Sequence, residues 1–127
     1  MNTILVADDD PDILKSIQLR LVTNGYRVFT AQDGLWALVL AKREKPDLIV
    51  LDVKMPCGDG QRVYDALKDS IDTAFIPVIF ITAYPDEKMR KRLLNVGASE
   101  FIAKPFTSNE LLEKIKKVLK QMEKDKP

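Results

Sequence analysis

The chain has no histidine and one cysteine, Cys57, and these two scarcities exclude a great deal of chemistry. Without imidazole there are no Ser-His or Cys-His nucleophile pairs, no imidazole metal sites and no histidine acid–base work. A lone thiol allows neither an internal disulfide nor a Cys-based zinc site, which suits a reducing compartment. No apolar run approaches the roughly 20 residues needed to cross a bilayer. The N-terminus reads as a strand rather than a signal peptide, so the expected setting is cytoplasmic. Charge of one sign is scarce as well: 20 Lys and Arg face 19 Asp and Glu, for a net +1. That balance points to neither nucleic acid nor membrane. What remains, 127 residues that are 46% hydrophobic and 31% charged, fits one compact globular domain with a single core.

Short β-rich runs alternate with longer helical patterns. The spacing predicts strands at Thr3–Asp8, Arg27–Ala31, Asp47–Asp52, Pro77–Thr82 and Glu100–Ala103. It predicts helices at Asp12–Asn24, Gly34–Glu44, Gly60–Ser70, Glu87–Val96 and Ser108–Lys124. Pro11 and Gly25 bracket the first helix, Gly97 closes the fourth, and Ser108 is the expected N-cap of the fifth. The runs Ile4–Ala7, Leu48–Leu51 and Val78–Ile81 are apolar at consecutive positions, the mark of strands covered on both faces. Five such β/α units predict an α/β, flavodoxin-like, doubly wound three-layer sandwich with sheet order 2-1-3-4-5. Ligands of such folds bind outside the carboxyl ends of the strands, where Asp8–Asp10, Asp52, Thr82 and Lys104 all fall.

Two apolar strands ending in carboxylates are an energetic anomaly, because an ionised carboxylate at the edge of a core is costly unless something pairs with it. Asp8, Asp9 and Asp52 therefore predict a pocket for a divalent cation. Asp10, followed by Pro11 and Asp12, reads as the start of a helix.

The fragments Ile4-Leu5-Val6-Ala7-Asp8-Asp9-Asp10, Leu51-Asp52-Val53-Lys54-Met55-Pro56, Ile81-Thr82-Ala83, Gly97-Ala98-Ser99-Glu100-Phe101 and Lys104-Pro105-Phe106 occur in one order at fixed spacings. With them the whole chain resembles the receiver domain of bacterial two-component response regulators. The resemblance implies phosphoryl transfer from a phosphohistidine of a histidine kinase or phosphotransfer protein onto Asp52, with conformational control of a partner or output domain. It implies no independent turnover, only self-phosphorylation and slow self-dephosphorylation. It also implies Mg²⁺ or Mn²⁺ held by Asp9 and Asp52 directly, Asp8 through water and the Lys54 backbone carbonyl. Thr82 and Lys104 would bind the phosphoryl group, with the Lys104–Pro105 bond in cis, and Thr82 and Phe101 would form the switch. Chemistry agrees: a carboxylate attacking phosphorus needs its charge neutralised, and Mg²⁺ prefers few carboxylates, water and phosphate oxygens.

The chain departs from the family in places. Cys57-Gly58-Asp59-Gly60 stands where Gly-x-Asp-Gly is usual, which makes Cys57 a small loop residue beside the acidic site. Lys54 and Tyr84 flank the path that hydrolytic water takes in the family, so they are expected to slow self-dephosphorylation. In the second helix, Ala37, Leu38 and Ala41 suit the core. Trp36 and Val39, flanked by Leu35 and Leu40, point outward as a candidate contact face. Lys88, Arg90, Lys91 and Arg92 on the fourth helix and Lys114, Lys116, Lys117 and Lys120 on the fifth lend a basic character to the family's output and dimerisation face. No base-reading element accompanies them, and direct nucleic-acid binding is not expected. The receiver domain is expected over residues 1–122, with 123–127 as a tail or linker stub. An aspartyl-phosphate phosphatase would need an acid where Lys54 stands. A flavodoxin would need a hydroxyl-rich loop where Asp8–Pro11 stands. A degenerate interaction domain would not keep the full set of site residues.

Overall fold

A computed structural model describes residues 1–56, 59–83, 87–95 and 97–124. The elements run β1 (Thr3–Ala7), α1 (Pro11–Thr23), β2 (Arg27–Ala31), α2 (Gly34–Glu44), β3 (Leu48–Asp52), α3 (Gly60–Asp69), β4 (Val78–Thr82), α4 (Glu87–Asn95), β5 (Glu100–Ala103) and α5 (Ser108–Lys124). All strand pairs are parallel, in the order β2-β1-β3-β4-β5. The register aligns Ala7 with Leu51, Asp52 with Ile81, and Thr82 with Ala103.

Consecutive apolar positions along each strand serve opposite faces. Leu5, Ala7, Ile49, Leu51 and Phe80 pack beneath Ala37, Val63, Tyr64 and Leu93 of α2, α3 and α4. Ile4, Val6, Val50, Ile79 and Ile81 pack beneath Leu14, Ile17, Leu111 and Ile115 of α1 and α5. This double coverage is why the strands read as unbroken hydrophobic runs rather than alternating ones.

Among the described residues, three strands and two helices of the expected set, α1 and α3, shift at an end by a residue, and the start of α1 has a visible cause. Asp10 caps α1: its Oδ1 accepts the Asp12 and Ile13 amides at 2.9 and 3.4 Å, so the helix begins at Pro11, not Asp12. Ser108 is the first residue of α5 rather than its cap. Thr107 and Glu110 instead form a reciprocal box, with the Glu110 amide donating to Thr107 Oγ1 at 3.1 Å and the Thr107 amide to Glu110 Oε1 at 3.4 Å. α5 runs through Glu123 and Lys124, as the spacing predicts; residues 125–127 lie outside the described set, as does Val96. In α2 the buried set is Gly34, Ala37, Leu40 and Ala41. Leu40 thus faces inward instead of flanking Trp36, and Leu38 packs only partly against the core.

One glycine directly shapes the functional end. A Cβ on Gly60 would stand 2.2 Å from the Asp52 carbonyl oxygen, and the Gly60 amide donates to the Val53 carbonyl at 2.8 Å. No side chain fits where α3 begins so close to the end of β3.

Candidate functional site

The carboxyl ends of β1, β3, β4 and β5 bring together residues far apart in sequence. Asp8 is fully buried and Asp52 is 4% exposed, with Thr82 buried beside them, while Asp9 faces solvent. Asp52, Asp9, Lys54, Thr82, Ala83 and Lys104 line a cavity of about 180 Å³. Asp8 Oδ1 accepts the Asp10 amide at 2.9 Å, and Asp52 Oδ1 accepts the Lys54 amide at 3.1 Å. These backbone bonds fix each carboxylate and leave its second oxygen beside the Lys104 ammonium.

Lys104 follows β5, and its amide donates to the Thr82 carbonyl at 2.7 Å. The Lys104–Pro105 peptide is cis. The ammonium lies 3.2 Å from Asp52 Oδ2, to which it donates, and 2.9 Å from Asp8 Oδ2. The second contact is a close ion pair to a carboxylate that is fully buried. Asp8 Oδ2 is buried, and among the described residues the Lys104 ammonium is the cation that reaches it.

The electrostatics follow from burial and crowding. Burial first, and the Asp8 charge second, push the Asp52 carboxyl up to about 6, against the opposing pull of the Lys54 amide and Lys104. Burial works to lower the Lys104 ammonium, but its contacts with Asp8 and Asp52 outweigh that and leave its pKa raised. Two buried carboxylates against one ammonium leave the site short of positive charge. Asp8, Asp9 and Asp52 each offer an oxygen within 4.8 Å of the others. The buried Asp8 oxygen, the excess negative charge and an all-oxygen donor set fit a hard divalent cation.

Of the other residues singled out in the sequence, Lys54 is exposed at the rim. Phe101 is 8% exposed, within the α2–α4 side of the core, and sits in register with Phe80 on β4. Tyr84 and Cys57 lie outside the described residues. The basic face is partly neutralised within the chain: Lys114 and Lys117 reach Glu100 at 3.3 and 3.1 Å, and Arg90 reaches Glu87 at 3.4 Å.

Sequence reasoning missed two features here. One is Gly60, whose need for glycine is a through-space contact with no local signal. The other is a larger apolar cavity of about 430 Å³ that shares Ala83 and Lys104 with the acidic one and extends along Ile13, Ser16 and Ile17 of α1 to Pro105 and Phe106. Its walls come from segments some 90 residues apart in the chain, so only tertiary structure reveals it.

Comparisons with known proteins agree with this geometry. The response regulator receiver domain family matches residues 4–116. The chain is 41% identical over 121 residues to a probable transcriptional regulator, ycf27, of Galdieria sulphuraria, covering 95% of this chain and 46% of that protein. It is 39% identical over 120 residues to the alkaline phosphatase synthesis transcriptional regulatory protein PhoP of Bacillus subtilis, covering 94% and 49%. It thus spans about half the length of the curated relatives it matches. Among solved structures, a CheY-like response regulator receiver domain protein from Methanospirillum hungatei superposes with a TM-score of 0.92 at 31% identity, covering 99% of each chain. The chemotaxis response regulator CheY4 of Vibrio cholerae gives 0.87 at 30% identity, covering 93% of this chain and 98% of that one. The fold, the aspartate cluster and these matches together place the chain in the response regulator receiver domain family, whose members accept and hold a phosphoryl group at such a cluster in two-component signalling.

Proposed function

We propose that Asp52 is the phosphoacceptor, and that phosphorylation there switches the chain between two conformations that a partner or output domain reads. The observation that carries this is the Lys104 ammonium held between Asp8 and Asp52 at 2.9 and 3.2 Å. A mobile cation bound to the acceptor before transfer is free to move onto the phosphoryl oxygens after it. Asp52 Oδ2 attacks phosphorus in line, the new O–P bond forms as the P–N bond to the donor imidazole breaks, and the imidazole leaves and takes up a proton. Lys104 then pairs with the phosphoryl group, and the Thr82 hydroxyl donates to it. Mg²⁺ or Mn²⁺, held by Asp9, Asp52 and the Lys54 carbonyl with Asp8 acting through water, would supply the charge neutralisation that lets two anions meet.

As Thr82 moves toward the phosphoryl group, Phe101 fills the space it leaves. Packed cores pass between discrete arrangements rather than deforming continuously, so this motion is a switch. The donor is a histidine kinase or phosphotransfer protein of the cytoplasm. The readers are a target or output domain on the α4–β5–α5 face and a second copy of the chain in the phosphorylated state, while Trp36 and Val39 of α2 offer a separate contact. Lys54 and Tyr84 obstruct hydrolytic water and prolong the phosphorylated state; faster loss of phosphate in wild type than in Lys54→Asn/Tyr84→Ala would refute that. For the acceptor itself, a small phosphodonor with Mg²⁺ should add one phosphoryl group to wild type by mass and none to Asp52→Asn. Equal gain in both would move the acceptor elsewhere.

A further inference from the structure

Large apolar side chains in solvent are informative where they cluster or are held rigidly in place. On α2, Leu35, Trp36 and Val39 are 64%, 44% and 39% exposed. Lys42 and Arg43 are exposed on the following turn, and the Arg43 guanidinium stacks 5.7 Å from the indole centre. The turn between α3 and β4 presents Ile71 and Phe75, 85% and 80% exposed, with Asp69 and Asp72 exposed alongside in sequence.

That turn is firmly anchored. The Ala74 amide donates to the Ser70 carbonyl at 2.8 Å. Thr73 is fully buried and its hydroxyl donates to the Leu67 carbonyl at 2.7 Å. The Lys68 ammonium donates to the Ala74 and Ile76 carbonyls at 2.9 and 3.0 Å. A segment pinned this way yet aiming its largest apolar side chains at water is preorganised for contact. The two patches adjoin where Lys45 Nζ, just past α2, lies 4.0 Å from Asp72 Oδ1.

One patch is apolar with a basic rim, and its neighbour is apolar with an acidic rim. Two adjacent, opposite patches make a surface that is its own complement. A twofold axis near the Lys45–Asp72 boundary lays α2 of one copy on the α3–β4 turn of the other, and the reverse contact follows by symmetry. We propose that the chain forms an isologous homodimer through this surface, with Trp36 and Phe75 as its apolar centre and the Lys42/Arg43 and Asp69/Asp72 pairs as its rim. The surface contains no residue of the acceptor cavity or of the α4–β5–α5 face, so association needs no phosphoryl group.

Sedimentation velocity on the unphosphorylated chain up to about 0.5 mM should show a monomer–dimer equilibrium, weakened several-fold between roughly 0.1 and 1 M salt. Lys42→Glu/Arg43→Glu and Asp69→Lys/Asp72→Lys should each weaken self-association at least about tenfold. An equimolar mixture of the two should recover the dimer, because the two reversed rims then meet with opposite charge, as do the two unaltered ones. Wild type that stays monomeric throughout overturns the proposal, and so do two folded charge variants whose mixture remains monomeric. Should either charge variant not fold, Ile71→Ser/Phe75→Ser, which alters only exposed side chains, decides: dimerisation equal to wild type refutes the surface.

Discussion

At the scale of single residues, Asp52, the proposed acceptor, is held in an unfavourable charge state. A carboxyl raised to about 6 from an ordinary value of 3.8 binds a proton in the folded chain where the unfolded chain has already lost it. Its contribution to stability is therefore fully present below about pH 3.8 and is lost as pH rises through about 6. In metal-free buffer, denaturant melts from pH 4 to 8 should show that component of stability falling, and Asp52→Asn should abolish it. At pH 7.5 the same substitution should stabilise the metal-free protein by on the order of 1 kcal/mol, since it removes a buried charge beside Asp8; a loss of stability would contradict this electrostatic account. Gly60→Ala should act in the opposite direction. Its methyl group meets backbone rather than a flexible side chain, so a loss of about 2 kcal/mol or more is expected in the same melts, with slower phosphorylation as the Asp52 backbone shifts.

At the scale of elements, the strands were the most legible in sequence because both core faces act on every residue of a run. The aspartates closing β1 and β3 were legible for a related reason, as charges where burial should forbid them. The outer helices were less so. In α2, Leu35, Trp36, Leu38, Val39 and Leu40 form a nearly continuous apolar stretch, so hydrophobicity alone could not identify Leu40 as the buried member. The start of α5 shows the same limit: Thr107 and Ser108 are equally good caps by type, and Glu110 selects Thr107 by completing the box. Thr107→Ala should accordingly cost about 1 kcal/mol, while Ser108→Ala should cost a few tenths or less. Thermal melts of the two variants distinguish the assignments, and a reversed order would restore Ser108 as the cap.

At the scale of the whole molecule, chemistry and packing are segregated. Every polar residue proposed for phosphoryl transfer lies at the carboxyl end of the sheet, and no helix among the described residues is long and apolar enough to cross a membrane. An acidic cluster able to chelate a divalent ion should make stability depend on one. Mg²⁺ at a hundredfold its dissociation constant should stabilise the fold by about 2.7 kcal/mol, visible as a higher unfolding midpoint that chelation reverses. Asp9→Asn should reduce that gain while leaving the metal-free midpoint nearly unchanged, because Asp9 is exposed; an unaltered Mg²⁺ response would remove Asp9 from the ligand set.

β5 is a rod of only four residues, Glu100–Ala103, about 13 Å long, and it is moored at both ends by charge. Glu100 is gripped by Lys114 and Lys117 of α5; although burial alone would raise its pKa, those lysines hold its carboxyl below the ordinary range. Just past the other end, Lys104 is gripped by Asp8 and Asp52. If a phosphoryl group on Asp52 recasts one mooring, as proposed, the rod would be pulled along its length, and the tension would land on α5 through the other. Slackening the distant mooring with Glu100→Gln should cost no more than about 1 kcal/mol of stability. Its larger effect should be mechanical: the acceptor would still load, while the displacement of α5 on loading, followed by hydrogen exchange of its amides, would fall away.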